Sequence, residues 1–519
     1  MGNASTRQSL SWMFLTCKSL VAKRSRVRDL VPVLFGLLSA IGAQISYAAG
    51  ELPFIPIDLG SLGGSFGIAS AINGRGQVVG LSATTGDAHE HAFIWTLTGG
   101  MVDLGTLGGT QSVATEVNAK GRVVGWSFTA GNVAAHPFSW TRSEGMVDLG
   151  SLGGFSSYAT AVNTNGQVVG VSDTRSGTHA FSWTREEGML DLGTLGGSYS
   201  TAIAINDGGQ VVGASTTAGN AQHAFLWTLA SGMVDLGTLG GRDSSATAMN
   251  NSGLVVGVSG TAGDAQQHAF SWTPTAGMVD LGTLGGTVSV ATAVNARGRV
   301  VGWSWTAGDA EVHPFSWTPT EGMVDLGAVR SVNYAVAVND RDQVVGYDAS
   351  FGDSFLHGFW WNSARGMVDL DASGWADSTV GALGAIPIRS AINVNGEVVG
   401  SYQTKDDLLS VHPVLWLPIT NFGCVTLVAC NLKGANLAGA YLKDRDLSNA
   451  NLKRANLARA NLSGAILKDT NMMGANLTNV DLTGARLNGA NVKDVIWSNT
   501  ICADGTNSKA HGGTCVGHL

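Results

Sequence analysis

One pattern recurs through most of this chain at intervals of 43–45 residues, and only a fold built from repeated units accommodates it. Asp-Leu pairs begin at Asp58, Asp103, Asp148, Asp191, Asp235, Asp280, Asp325 and Asp369. Val-Val-Gly triplets end at Gly80, Gly125, Gly170, Gly213, Gly257, Gly302, Gly346 and Gly400. A His stands four residues before a Trp in each unit, from His91 and Trp95 to His412 and Trp416. Each unit holds four short strand candidates. In the third, Asn163-Thr164-Asn165-Gly166 supplies a hairpin turn, with Gly free to take positive φ. His179–Trp183 then alternates with period two, and Glu186-Glu187-Gly188 leads into a fourth strand, Met189–Leu192. Gly is 72 of 519 residues and charged residues are only 13%, which suits tight turns and argues against long exposed helices.

Four strands in a period of 40–50 residues are the pattern of a propeller blade. The phase supports a closed ring. The chain starts with an orphan fourth strand, Phe54–Leu59, and ends with strands one to three, Arg389–Trp416. The first piece completes the last unit. The expected fold is all-β, an eight-bladed β-propeller. An open β-solenoid, which needs no such offset, is the rival.

Basic residues Lys23, Arg24, Arg26 and Arg28 precede an apolar run, Leu30–Ala43, and then Ser46-Tyr47-Ala48. This reads as a secretory signal with cleavage after Ala48, the run being too short to span a membrane, with an uncleaved N-terminal anchor as the alternative. Translation starts at Met1 or Met13. No later stretch is long and apolar enough to span, so none is expected after cleavage. Residues 49–420 carry 14 basic and 31 acidic groups, whereas 421–519 carry 10 and 6. An acidic exported body argues against a nucleic-acid partner. A glycan or a cell-surface protein fits, and the location is extracellular, cell-surface or periplasmic.

Units such as His268-Ala269-Phe270-Ser271-Trp272, running on to Gly277-Met278-Val279-Asp280-Leu281-Gly282-Thr283-Leu284-Gly285-Gly286, closely resemble the HAF family of bacterial extracellular repeats. The resemblance covers about residues 54–416. It implies an exported bacterial protein and no particular activity.

From Asn431 the period becomes five, starting Asn431-Leu432-Lys433-Gly434-Ala435 and ending Asn491-Val492-Lys493-Asp494-Val495. The central residue is Leu except at Met472 and Val492. These 13 copies resemble the pentapeptide-repeat family, which implies a right-handed quadrilateral β-helix with four pentapeptides per turn. Leu and the small residue two before it fill such a tube, and stacked Asn side chains form ladders. Arg445 stands where a small residue is expected, so it points out through a distorted corner or breaks one coil. The expected organisation is a signal peptide at 1–48, the repeat body at 49–420, the pentapeptide helix at 421–498 and a Cys-containing tail at 499–519.

Eight equivalent His cannot form one asymmetric active site, so a hydrogen-bonded structural role is expected for them. The repeated Asp are read as turn-forming, because Asx side chains bond the backbone two residues on. No cofactor is expected, though structural calcium fits an acidic body. No Gly-x-Ser-x-Gly elbow, His-Glu-x-x-His motif or phosphate loop is present, so no catalytic residue is assigned. Of five cysteines Cys17 lies in the signal segment, and the other four, Cys424, Cys430, Cys502 and Cys515, flank the five-residue repeats. An even number in an exported chain points to two disulfides, and zinc is the alternative. Local pairing, Cys424–Cys430 and Cys502–Cys515, is expected, because a three-turn solenoid holds the ends apart. The repeat is broken after Asp325, where Gly327-Ala328-Val329-Arg330 replaces Leu-Gly-Gly. It is broken again between Asp371 and Ile388, and any ligand site is placed there on Asp371, Trp375 and Asp377, with Trp375 stacking on a sugar or other planar face; the alternative is that Trp375 only packs the enlarged loop onto the seam. The leading reading is a non-enzymatic binding or structural module of the cell surface or envelope. The rival is a secreted propeller enzyme acting on glycans.

Overall fold

A computed structural model describes residues 53–519, apart from 329, 350–355, 371–376, 380–390 and 405–406. The signal-peptide reading of residues 1–48 lies outside the described residues. Glu51–Leu519 form one compact unit.

The chain is all-β, with only short 3-10 turns beside its strands. A lone strand β1 (Phe54–Asp58) comes first. The first repeat unit then supplies β2 (Gly63–Ile72), β3 (Val78–Thr84), β4 (Glu90–Thr96) and β5 (Gly100–Asp103). These pair antiparallel in sequence order. The same set recurs along the chain as propeller-like sheets. The hairpin turn at Asn163 forms as expected, with Gly166 at φ 89°. Where the seventh unit lacks that Gly, Asp342 takes the left-handed conformation at φ 59°, which Asp tolerates.

The Gly of Val-Val-Gly has a steric cause. A bulge between Ala69 and Ala71 pushes the Ile68 carbonyl against β3. A Cβ on Gly80 would lie 1.9 Å from that oxygen. Phe93, opposite Gly80, is fully buried. The core lies between successive sheets. Val79 and Ala92 of one unit, for instance, pack on Ala114, Val123 and Phe138 of the next.

The orphan strand closes the repeat as the phase implied. β1 pairs antiparallel with Asp407–Pro418, the third strand of the last unit. Asp58 lies opposite Val414 just as Asp103 lies opposite Phe93, so the register matches that of a covalently connected unit. Phe54 packs edge-on against Trp360 of the preceding unit, with ring centroids 5.4 Å apart.

The C-terminal region is a coil with a 20-residue turn. Parallel bridges join Asn431 to Asn451, Asn451 to Asn471 and Asn471 to Asn491, with equivalent columns alongside. The central Leu residues are buried, and Asn ladders run between coils, as from Asn456 to Asn436 at 2.9 Å. Arg445 is half-buried and does not break its coil, since its backbone bonds Leu442 and Ile466 like its neighbours. The coil outruns the sequence repeat. Leu427 enters the buried core at one end, and Trp497 and Cys502 at the other. Both expected disulfides are present, Cys424–Cys430 and Cys502–Cys515, with Cα separations of 5.6 and 5.4 Å. Each covers an end where the stack would otherwise stop on open edges.

β1 belongs to both regions. One edge pairs with Asp407–Pro418. On the other, the Asp58 N–H donates to the Gly439 carbonyl at 3.1 Å and the Tyr441 N–H donates to the Pro56 carbonyl at 2.8 Å. Ile55, Ile57 and Leu59 share one buried cluster with Val78 and Phe93 of the first unit and Leu437 and Leu442 of the coil.

Candidate functional site

Two arrays of side chains repeat around the molecule. The first is a chain of asparagines at the turn between the first two strands of each unit. Each is buried, and its Oδ1 accepts from backbone N–H groups of its own turn, as from Arg75 and Gln77 to Asn73. Its Nδ2 reaches the next unit. Asn73 donates to the Asn118 carbonyl at 2.9 Å, Asn118 to Asn163 at 2.8 Å and Asn163 to Asn206 at 3.1 Å. The series continues through Asn250, Asn295 and Asn339 to Asn393. Asn393 donates back to the Asn73 carbonyl at 3.0 Å, so eight hydrogen bonds close on themselves. Sequence reading assigned these residues to turns and missed the circuit. The available signal was an Asn at one position of all eight turns whose other residues vary.

The second array is formed by the repeated His and Asp. His91 Nδ1 lies 2.9–3.0 Å from the Asp103 carboxylate, and five further units repeat the pair. At the closing unit His412 faces Asp58 of β1 at 3.6 Å. The Asp also caps its loop, accepting from the N–H two residues on, as from Gly105 to Asp103 at 2.7 Å. A His–Asp pair becomes nucleophilic machinery when the other ring nitrogen reaches a hydroxyl or thiol. Here His268 Nε2 meets the Gln266 amide oxygen at 3.0 Å and His313 Nε2 meets a Glu311 oxygen at 3.1 Å. The hydrogen bond to Asp325 holds the His313 imidazole above its ordinary pKa against the pull of burial, and Glu311 adds to it. Burial pushes Asp325 upward, but hydrogen bonds from His313 and the Gly327 N–H outweigh it and leave the carboxyl low. Both arrays serve turns and strand pairing.

The break after Asp325 carries its own compensation. In six units a buried Ser two residues after Val-Val-Gly accepts the loop N–H, as Ser82 does from Leu62 at 3.0 Å. In the seventh that Ser is Asp348, fully buried and bonded to the Arg330 guanidinium, which also lies 3.6 Å from Asp369. Burial pushes the Asp348 carboxyl up while Arg330 opposes it. Asp371 and Trp375 lie outside the described residues, and of Asp377 only a short strand, Asp377–Thr379, is described. Among the described residues no group of three or more His, Cys, Asp or Glu side chains is placed to hold a metal ion.

A family model of pentapeptide repeats matches residues 430–469 and 455–494. The C-terminal region is built of pentapeptide repeats. Solved relatives of this region include a pentapeptide repeat protein of the Arabidopsis thaliana thylakoid lumen (36% identity, TM-score 0.13, covering 14% of this chain and 48% of that one). Another is from the cyanobacterium Cyanothece (38%, TM-score 0.14, 14% and 49%). The chain thus spans about half the length of the pentapeptide-repeat structures it matches. The preceding repeats match the β-propeller domain of the Trilobed protease from Pyrococcus furiosus at 10% identity and a TM-score of 0.41, covering 59% of this chain and 98% of that one. No curated protein matches the chain.

Proposed function

We propose that the chain is an exported bacterial repeat protein, non-enzymatic, that serves as a binding or structural module of the cell surface or envelope. In this reading the eight repeats form an eight-bladed propeller of the HAF type. The pentapeptide coil is a rigid extension set on its closing strand. The observation that carries the reading is the double pairing of β1, which ties a ring-like body and a straight coil into one unit. A presenting scaffold needs that rigidity. The use of the repeated His and Asp in turns supports a non-catalytic role. Two disulfides suit an oxidising compartment. Among the described residues, no helix is long and apolar enough to cross a membrane.

The test is expression of the full chain in a bacterial host, followed by fractionation, N-terminal sequencing and a glycan-array screen of the exported product. The expected product starts at Ala49, carries both disulfides and binds a glycan saturably. A cytoplasmic chain that keeps Leu30–Ala43 would contradict the export reading.

A further inference from the structure

The tail closes the C-terminal end of the coil only in part. In the turn below the last, the N–H groups of Leu467, Asp469, Met472, Gly474, Leu477 and Asn479 donate to carbonyls of the turn above, at 2.8–2.9 Å. One turn on, the same six N–H groups belong to Leu487, Gly489, Val492, Asp494, Trp497 and Asn499. They meet no acceptor among the described residues. The tail pairs only with the side at Ile501, through an antiparallel bridge to Asn507 and a hydrogen bond from the Ser508 N–H to the Thr500 carbonyl at 2.8 Å. The side chains change at the same place. Asn436, Asn456 and Asn476 form one ladder, and Ile496 takes the next place in that column, 53% exposed. Ile501 on the adjoining side is also exposed, as are Val516 and Leu519 of the tail. Open N–H groups beside apolar side chains make this rim an edge that accepts a strand.

The molecule shows once how such a rim is covered. At the other end of the coil the edge is taken by β1, the fourth strand of the closing unit, whose Ile57 bridges Ala440 and is fully buried. Fourth strands of five other units carry an exposed residue at the place of Ile57, namely Val102, Leu190, Val234, Val279 and Val324, each 39–41% exposed. Each of these strands pairs with its own third strand alone. By the matching register, the Asp103 N–H and the Met101 carbonyl take the outward positions of the Asp58 N–H and the Pro56 carbonyl. Charge favours bringing rim and edge together. Residues 49–420 carry 14 basic and 31 acidic groups, against 10 and 6 in residues 421–519, so the coil of one copy is drawn to the body of another.

We propose that the C-terminal rim of the coil docks on a free fourth-strand edge of a second copy of this chain. The N–H groups of Trp497 and Asn499 pair with the outward carbonyls of a strand such as Gly232–Asp235, and Ile496 covers Val234, as the first turn of the coil covers Ile57. The contact joins two different surfaces, so copies associate as a closed pair, a ring or a filament. This goes beyond the reading of a presenting scaffold and depends on no glycan.

Sedimentation velocity of the full chain, with both disulfides formed, tests it over a concentration series. The mass should rise with concentration. Ile496→Asn, which restores the residue of the column below, should raise the concentration needed for association at least about tenfold with an unchanged melting temperature. Carbodiimide coupling in a mixture of isotope-labelled and unlabelled chain identifies the surface met. Lys493, exposed on the rim, should couple to a fourth-strand carboxylate of another copy, Asp235 or its equivalents. A single mass at every concentration up to about 1 mM, or association unchanged by Ile496→Asn, would overturn the proposal. So would coupling of Lys493 to Asp494 of another copy with none to the repeat body, which would mark coil tip against coil tip.

Discussion

The repeat body and the pentapeptide coil solve one problem in opposite ways. Both bury small apolar faces that a single unit cannot bury alone. The body runs its links sideways until Asn393 reaches Asn73, so it needs no terminal cap, only a strand borrowed from the other end of the chain. The coil stacks along one axis and never returns, so its two ends need covers, and each carries a disulfide. Closure gives every unit two neighbours, whereas stacking leaves each end coil with only one.

Deleting residues 53–58 removes the shared element and should have the largest effect. Phe54, Ile55 and Ile57 are fully or nearly fully buried, and the strand bonds both regions. We expect a loss of on the order of 5 kcal/mol or more, with the melting transitions of both regions lowered in calorimetry. A coil that melts unchanged would separate the two regions again. Leu462→Ala in the middle of the coil should cost about 2–5 kcal/mol, because its site is fully enclosed. That loss should appear in the coil's transition. Replacing Cys502 and Cys515 by Ser should cost about 3 kcal/mol for a loop of this length. Reduction should lower the coil's transition more than the body's, since the pairs lie at the coil's ends.

Asn118→Ala cuts one link of the buried circuit and leaves the turn N–H groups of Lys120 and Arg122 without their acceptor. About 1–3 kcal/mol should be lost, read by chemical denaturation. Asn456→Ala in the half-buried ladder of the coil should cost less. The smallest effect is the pH response of the His313–Asp325 pair. His313 is raised in the folded chain, so its contribution is full below its unfolded value and fades as pH rises through the folded one. Asp325 is lowered, so its contribution is present above its unfolded value and is lost as pH falls through the folded one. Stability from the pair should therefore peak in the weakly acidic range, and His313→Gln should flatten that peak in a pH series of melting temperatures.

Much of this was legible because the repeats compare themselves. The phase of Phe54–Leu59 foretold the closing pair, and the five-residue period foretold the coil and its local disulfides. The Asp-to-backbone turns followed from Asx chemistry alone. Three things were hidden. The Asn circuit links residues about 45 apart, and at its closure 320 apart, which no local pattern reveals. The extension of the coil to Cys502 breaks the Leu pattern, because a disulfide sulfur replaces the last buried leucine. The docking of Gly439 and Tyr441 on β1 is backbone pairing between two repeat types, and backbone groups leave no mark in sequence.

Hydrogen–deuterium exchange at the junction tests most directly whether β1 joins the two regions. The amides of Asp58 and Tyr441 each bond across it. The account has both exchange as slowly as the core amides of Val79 and Leu457, because opening them requires unfolding one region or the other. Exchange at the rate of exposed loop amides, with both cores still protected, would contradict a shared closing strand.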